Sequence, residues 1–443
     1  MKKTILFLFS ILSIYSYSQH ILPERERAKI VDEILEERFN DLLPTLMDRA
    51  DIDMWIVISR EYNEDPVLRT MLPATWLNAR RRTILVFFRD RSKSTIEKLA
   101  IARYDIGKNI KSVWNKEKQP DQWQALIDLI IGKNPKKIGL NYSDHFGIAD
   151  GIVKTDHDAF MTRLPKKFQK RVVSAEKLAI GWIETRTERE MAIYSHLVHI
   201  THQIIEEAFS ANVITPGVTT TEDVVWWMRD KVRSLGLETW FHPTVDVQRA
   251  ENSDLYAFDN KPKLDVIRPG DLLHCDFGIT YLRLNTDCQE LAYVLKSGEQ
   301  EAPAFLKDAL KEGNRLQDIL TRNFKTGRTG NEILLKSLSE AKGEGLKPQI
   351  YTHPLGLYGH SAGPTIGMWD SQGGVPVNGD YPLYPNTVYA IELNTKVFLK
   401  EWKKEIRVML EEAGFYDDMG HRYVNGRQTK LLLISEDGQH ITK

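Results

Sequence analysis

His274-Cys275-Asp276-Phe277-Gly278-Ile279-Thr280-Tyr281-Leu282-Arg283-Leu284-Asn285-Thr286-Asp287 decides the fold. It follows a turn signal, Arg268-Pro269-Gly270-Asp271, and reads as two short apolar strands around a tight bend. A bend near Tyr281-Leu282 sets residues whose numbers sum to 563 opposite each other, which pairs Asp276 with Asp287. Like charges directly opposite destabilise a strand pair. A cation between the two carboxylates is the simplest way to offset that cost, the alternative being two turn aspartates in water. The same register sets Cys275 opposite Cys288 on the reverse face. They are the chain's two cysteines, so the pair is either a cross-strand disulfide or two buried thiols, the thiols being favoured because such a disulfide is strained.

Downstream lies Thr352-His353-Pro354-Leu355-Gly356-Leu357-Tyr358-Gly359-His360-Ser361-Ala362-Gly363, and then an apolar strand, Val388-Tyr389-Ala390-Ile391-Glu392-Leu393. An acid inside so apolar a strand is costly unless paired or coordinated. One imidazole with several carboxylates suits one or two divalent ions of the Mn, Co, Fe or Zn type.

This order of Asp, Asp, Gly-His and strand Glu resembles the pita-bread metallopeptidases, the family of Xaa-Pro aminopeptidase, prolidase and methionine aminopeptidase. An amphipathic helix opening at Glu190-Met191, the connection Thr215-Pro216-Gly217-Val218-Thr219 and a second helix from about Thr221 extend the likeness over roughly residues 185–440. The resemblance implies Asp276 as a ligand of one metal, Asp287 as a bridging ligand, His360 as the histidine ligand, and Glu392 as both ligand and general base. It implies ions that activate a water for attack on a peptide carbonyl.

Three positions depart from the family pattern. The last carboxylate ligand falls on Glu411, or on nothing, since alternative alignments put Thr429 or Met409 in its slot. The family's catalytic histidine, about seven residues after the histidine ligand and followed by Asp, is met here by Trp369 before Asp370. No histidine stands in Asp254–Asn260. His353 is therefore the expected catalytic substitute, with His274 and His242 as further candidates.

The remaining chain bounds the answer. Its 443 residues are enough for two domains with sizeable cores. A net charge of −1 gives no reason to expect a nucleic-acid partner. Lys2-Lys3, an apolar run to Tyr17 and Ser16-Tyr17-Ser18 read as a signal peptide over 1–18, so the mature chain is expected to be exported, periplasmic or extracellular. No later stretch is long and apolar enough to predict an integral membrane segment. Strands at Met54–Ile58, Thr83–Phe88 and Lys136–Asn141, with helices at Glu24–Leu46 and Gln122–Ile131, predict an α/β domain over 19–182, similar to the N-terminal domain of prolidases and creatinase-like proteins. A pita-bread domain over 183–443 follows. The resemblance also implies a homodimer and a short peptide substrate cut at an N-terminal Xaa-Pro or similar bond. The competing expectation is a metal-free creatinase-like hydrolase of a small C–N substrate, or an inactive binding protein of the same fold.

Overall fold

The computed structural model describes residues 21–93, 95–251 and 265–435. The expected signal peptide and Asp254–Asn260 lie outside these residues.

Six strands form the first sheet: β1 (Met54–Arg60), β2 (Arg82–Arg89), β3 (Ile96–Ile101), β4 (Lys111–Ser112), β5 (Ile138–Leu140) and β6 (Val172–Ser174), in the order β4-β3-β2-β1-β5-β6. β1 is central and buried along nearly its whole length, which its unbroken apolar run Met54–Ile58 demands. It pairs antiparallel with β2 and parallel with β5. The helix Gln122–Lys133 begins at Asp121, whose carboxylate accepts the Trp123 and Gln124 N–H groups. The stretch expected as one helix at its N-terminal end is two, Glu24–Glu37 and Leu43–Ala50, joined by a π-turn at Arg38–Leu42. Pro44 cannot donate to the helical ladder there. Arg38, buried in that turn, reaches Glu190 at 2.8 Å.

Glu190 belongs to the long helix Glu188–Ala208, where it also closes a capping box with Thr187. The next helix, Thr221–Ser234, is capped likewise by Thr220 and Asp223. The helix Glu176–Glu184 runs across the sequence boundary expected at 182/183. Its Leu178, Trp182 and Ile183 share one apolar core with Trp55 on one side and with Tyr194 and Phe277 on the other.

The C-terminal half is built on β7 (Thr244–Gln248), β8 (Leu272–Phe277), β9 (Thr280–Tyr281), β10 (Leu284–Asn285), β11 (Cys288–Val294), β12 (Pro348–Ile350), β13 (His353–Leu355), β14 (Thr387–Ala390), β15 (Leu393–Leu399), β16 (Lys404–Leu410), β17 (Ala413–Asp417), β18 (Gly420–Tyr423) and β19 (Leu432–Ile434). They form sheets in the orders β19-β11-β8-β7, β12-β15-β16 and β13-β14-β17-β18, with β9 and β10 as a small ribbon.

The hairpin register differs from the expected one by two. Tyr281 pairs with Leu284, and Asp276 with Gln289, so opposed numbers sum to 565. The reason lies in the turn. Leu282 and Arg283 both take positive φ, 52° and 68°. That is the backbone of a two-residue turn matching strand twist, and it centres the bend one residue later. Arg283 is tied there by its donation to the Leu72 carbonyl at 2.6 Å. Asp276 and Asp287 are therefore diagonal neighbours, not directly opposed. Cys275 faces Glu290 and Cys288 faces Phe277, and both thiols are free and buried.

Candidate metal centre

Each acid sits where a strand ends or bends. Asp276 is near the end of β8. Asp287 immediately precedes β11, and alternation puts it on the same face as Gln289, the partner of Asp276. Gly278 permits the close strand crossing, since a Cβ there would lie 2.2 Å from the Thr286 carbonyl oxygen. Glu392 occupies the bend between β14 and β15, and Glu411 follows β16. A bridge between Gln289 and Glu411 brings that strand end against β11. His353 opens β13, across from Ala390.

These positions converge. Ligand atoms of Asp276, Asp287 and Glu411 lie within 4.8 Å of one another, as do those of His353, Glu392 and Glu411, and those of Asp287, His353 and His360. His353 Nε2 is 3.6 Å from Asp287 Oδ2, 3.6 Å from Glu411 Oε1 and 4.0 Å from Glu392 Oε2. Its Nδ1 lies 3.0 Å from the Pro354 carbonyl oxygen. A carbonyl only accepts, so the ring proton belongs on Nδ1, and the Nε2 lone pair faces the acids. His360 stands behind it, nearer the surface, its ring 4.7 Å from that of His353 and 5.1 Å from Trp240.

Residues 193–422 match the model of metallopeptidase family M24, a span of more than half the chain. The chain belongs to that family. Solved structures share the mixed α/β, pita-bread architecture. X-Pro aminopeptidase from Thermotoga maritima superposes with a TM-score of 0.61 at 15% identity, covering 88% of this chain and 99% of that one. Xaa-Pro dipeptidase from Bacillus anthracis gives 0.57 at 16%, covering 93% and 100%. The prolidase from Pyrococcus horikoshii OT3 gives 0.53 at 14%, covering 91% and 99%. At such identities the likeness is one of fold. Comparison with curated proteins returns no match.

Metallopeptidases of family M24 use divalent ions, and the donor set of this M24 chain fits them. Asp287 Oδ1, Glu411 Oε1 and His353 Nε2 are buried without a hydrogen-bond partner. Such orphans are costly unless something coordinates them. Burial, then Asp276 and Glu392, push the Asp287 carboxyl well above the usual carboxylate range. Burial, then Asp287 and Glu392, do the same to Glu411. Glu392 is pushed up to about 8, chiefly by burial, with His353 pulling the other way. Burial opposes charge on His353, but Glu411 and Glu392 outweigh it and raise its pKa. Burial and the neighbouring His353 depress His360 to about 4. One imidazole cannot balance four carboxylates, and a divalent cation restores the balance.

Of the residues singled out in the sequence, Asp276, Asp287, Glu392, Glu411, His353 and His360 all meet here. Thr429 is exposed. His242 lies apart against Trp226 and Arg229. Trp369 is 52% exposed. His274 touches the centre through another residue. Its Nε2 is 2.9 Å from Gln289 Oε1, and Gln289 Nε2 donates to Glu392 Oε1 at 2.6 Å and to Glu411 Oε2 at 3.0 Å. Gln289 was not among the sequence candidates. Its signal was its place two residues after Asp287, on the same strand face. Trp240 was also missed; its indole donates to the Thr286 carbonyl at 2.8 Å and walls His360.

Proposed function

We propose that this chain is a metal-dependent peptidase that hydrolyses N-terminal Xaa-Pro or similar bonds in short peptides. The observation that carries it is the convergence of Asp276, Asp287, Glu392 and Glu411 on the open Nε2 of His353. Membership of family M24 and the Xaa-Pro-directed names of its structural neighbours point the same way.

Asp276, Asp287, Glu392, Glu411 and His353 would hold the ions. When bound, these supply Lewis acidity and lower the pKa of a water. Glu392 takes the proton of the attacking water and passes it to the leaving nitrogen. Gln289 holds the carboxylates of Glu392 and Glu411 in register. His360 lies seven residues after His353, the spacing at which the family sets its catalytic histidine. We therefore exchange the two expected histidine roles: His353 is the ligand, and His360 steadies the developing oxyanion or the leaving group.

That spacing, with Glu411 beside Asp287, weighs against the inactive-protein alternative, which rests on a missing histidine and a missing last carboxylate ligand. The deciding assay loads the chain with Mn, Co, Fe or Zn and follows release of N-terminal residues from peptides with and without proline at the second position. Cleavage favouring proline supports the proposal; no release with any metal returns the chain to the binding-protein alternative. Export of a mature chain beginning near Gln19 belongs to the same proposal, resting on the Lys2-Lys3 and apolar pattern. N-terminal sequencing from the native host tests it, and an intact cytoplasmic Met1 refutes it. A homodimer is proposed on family likeness alone, with mass measurement in solution as its test.

A further inference from the structure

Strand alternation sends consecutive residues to opposite faces. Asp287 faces the centre described above, so Cys288 faces the other way. The same holds for Glu411 and Glu412. Behind the sheet, Cys288 and Glu412 meet His202 of the helix Glu188–Ala208, and their ligand atoms lie within 4.8 Å of one another. His202 Nε2 is 2.9 Å from Glu412 Oε2 and 3.9 Å from Glu290 Oε1. Cys288 is fully buried, Glu412 is 1% exposed and Glu290 6%.

We propose that His202, Cys288, Glu412 and Glu290 form a second metal site, for one zinc-class divalent ion, on the reverse face of the sheet. Imidazole nitrogen, cysteine sulfur and carboxylate oxygen are each donors that a zinc-class ion takes. The imidazole nitrogen, the thiol sulfur and one carboxylate oxygen already lie within reach of a single ion, and Glu290 stands 3.9 Å from the imidazole. The surroundings suit this. Glu412 Oε1 already accepts the Gln428 N–H at 3.0 Å, leaving Oε2 for the ion. The Asn425 amide lies 3.3 Å from His202 Nδ1. Turned by half a rotation, it presents its oxygen to Nδ1–H and leaves Nε2 for the metal, the arrangement usual for a ligating histidine. The ion would staple the helix to β11 and to the residue after Glu411, and so brace the other centre from behind. The inference does not depend on peptidase activity.

The thiolate gives the test its selectivity, because the first centre holds no sulfur. The full chain is loaded with cobalt(II) and its near-ultraviolet spectrum recorded. A thiolate-to-cobalt charge-transfer band is expected in the unmodified protein, lost in Cys288→Ser and kept in Cys275→Ser. In a background of Asp276→Asn with Glu392→Gln, one ion per chain should remain, and His202→Ala should weaken its binding by more than about tenfold. Cobalt bound without a thiolate band, a band that survives Cys288→Ser, or no remaining ion in the double variant overturns the site. The first of these uses the unmodified chain, so misfolding of a variant cannot rescue the proposal.

Discussion

His353 and His360 meet edge to face, ring centroids 4.7 Å apart and planes at 86°, yet they face different surroundings. His353 points Nε2 into the carboxylates, while His360 lies against Trp240. The two should fail differently when removed. His353→Ala is expected to lose most of the bound metal. His360→Ala should keep its metal and lose turnover by a factor of about 10² to 10⁴. Metal analysis beside kcat on the same samples separates them; the reverse pattern would return the ligand role to His360.

The carboxylates can be ranked in the same way. Asp287 touches both the Asp276 and the His353 sides of the centre. Asp287→Ala should therefore remove the most metal, and unchanged metal content would refute the centre. Glu411→Gln should lower occupancy and turnover, whereas the exposed Thr429 can become Ala with little effect. Glu392→Gln should cost several orders of magnitude in kcat with the fold intact.

Gln289 is the buried amide joining Glu392 to Glu411. Gln289→Leu keeps the bulk and removes both donated hydrogen bonds. Metal affinity, measured by competition with a chelator, should fall by about 10- to 100-fold. Equal affinity would show that the two glutamates are held by other means.

Stability should carry a separate pH signature from Glu184. Burial raises its carboxyl from 4.5 to about 7, against the pull of Arg49. A folded-state pKa above the unfolded one means stability that is full below about 4.5 and is lost as pH rises toward 7. At about 1.4 kcal/mol for each pH unit, the loss is about 3.5 kcal/mol. Denaturant unfolding across this range, at fixed metal, should show the decline in the parent and a flatter profile in Glu184→Gln. Parallel profiles would mean that Glu184 is ionised in the fold at little cost.

The sequence by itself made several elements and the metal-ligand residue types legible. The unbroken apolar runs at Met54–Ile58 and Thr83–Phe88 gave strands because only a doubly covered strand buries them. The helix expected from about Thr221 does begin there, and the structure shows Thr220 and Asp223 capping it through local hydrogen bonds. Glu392 was legible as an acid in an apolar strand that needs a partner, and Asp276 and Asp287 as like charges brought close, whereas Glu411 came only from the family resemblance. Tertiary structure decided how they meet. A shift of the turn by one residue changed the pairing sum from 563 to 565 and dissolved the expected Cys275–Cys288 opposition, since φ at Leu282 and Arg283 depends on what anchors Arg283. Which histidine enters the carboxylates depends on the register of β13 with β14 and on the Pro354 carbonyl that fixes the ring proton. The cluster of His202, Cys288 and Glu412 joins a helix to two strand positions far apart in the chain, and no local spacing encodes such a meeting.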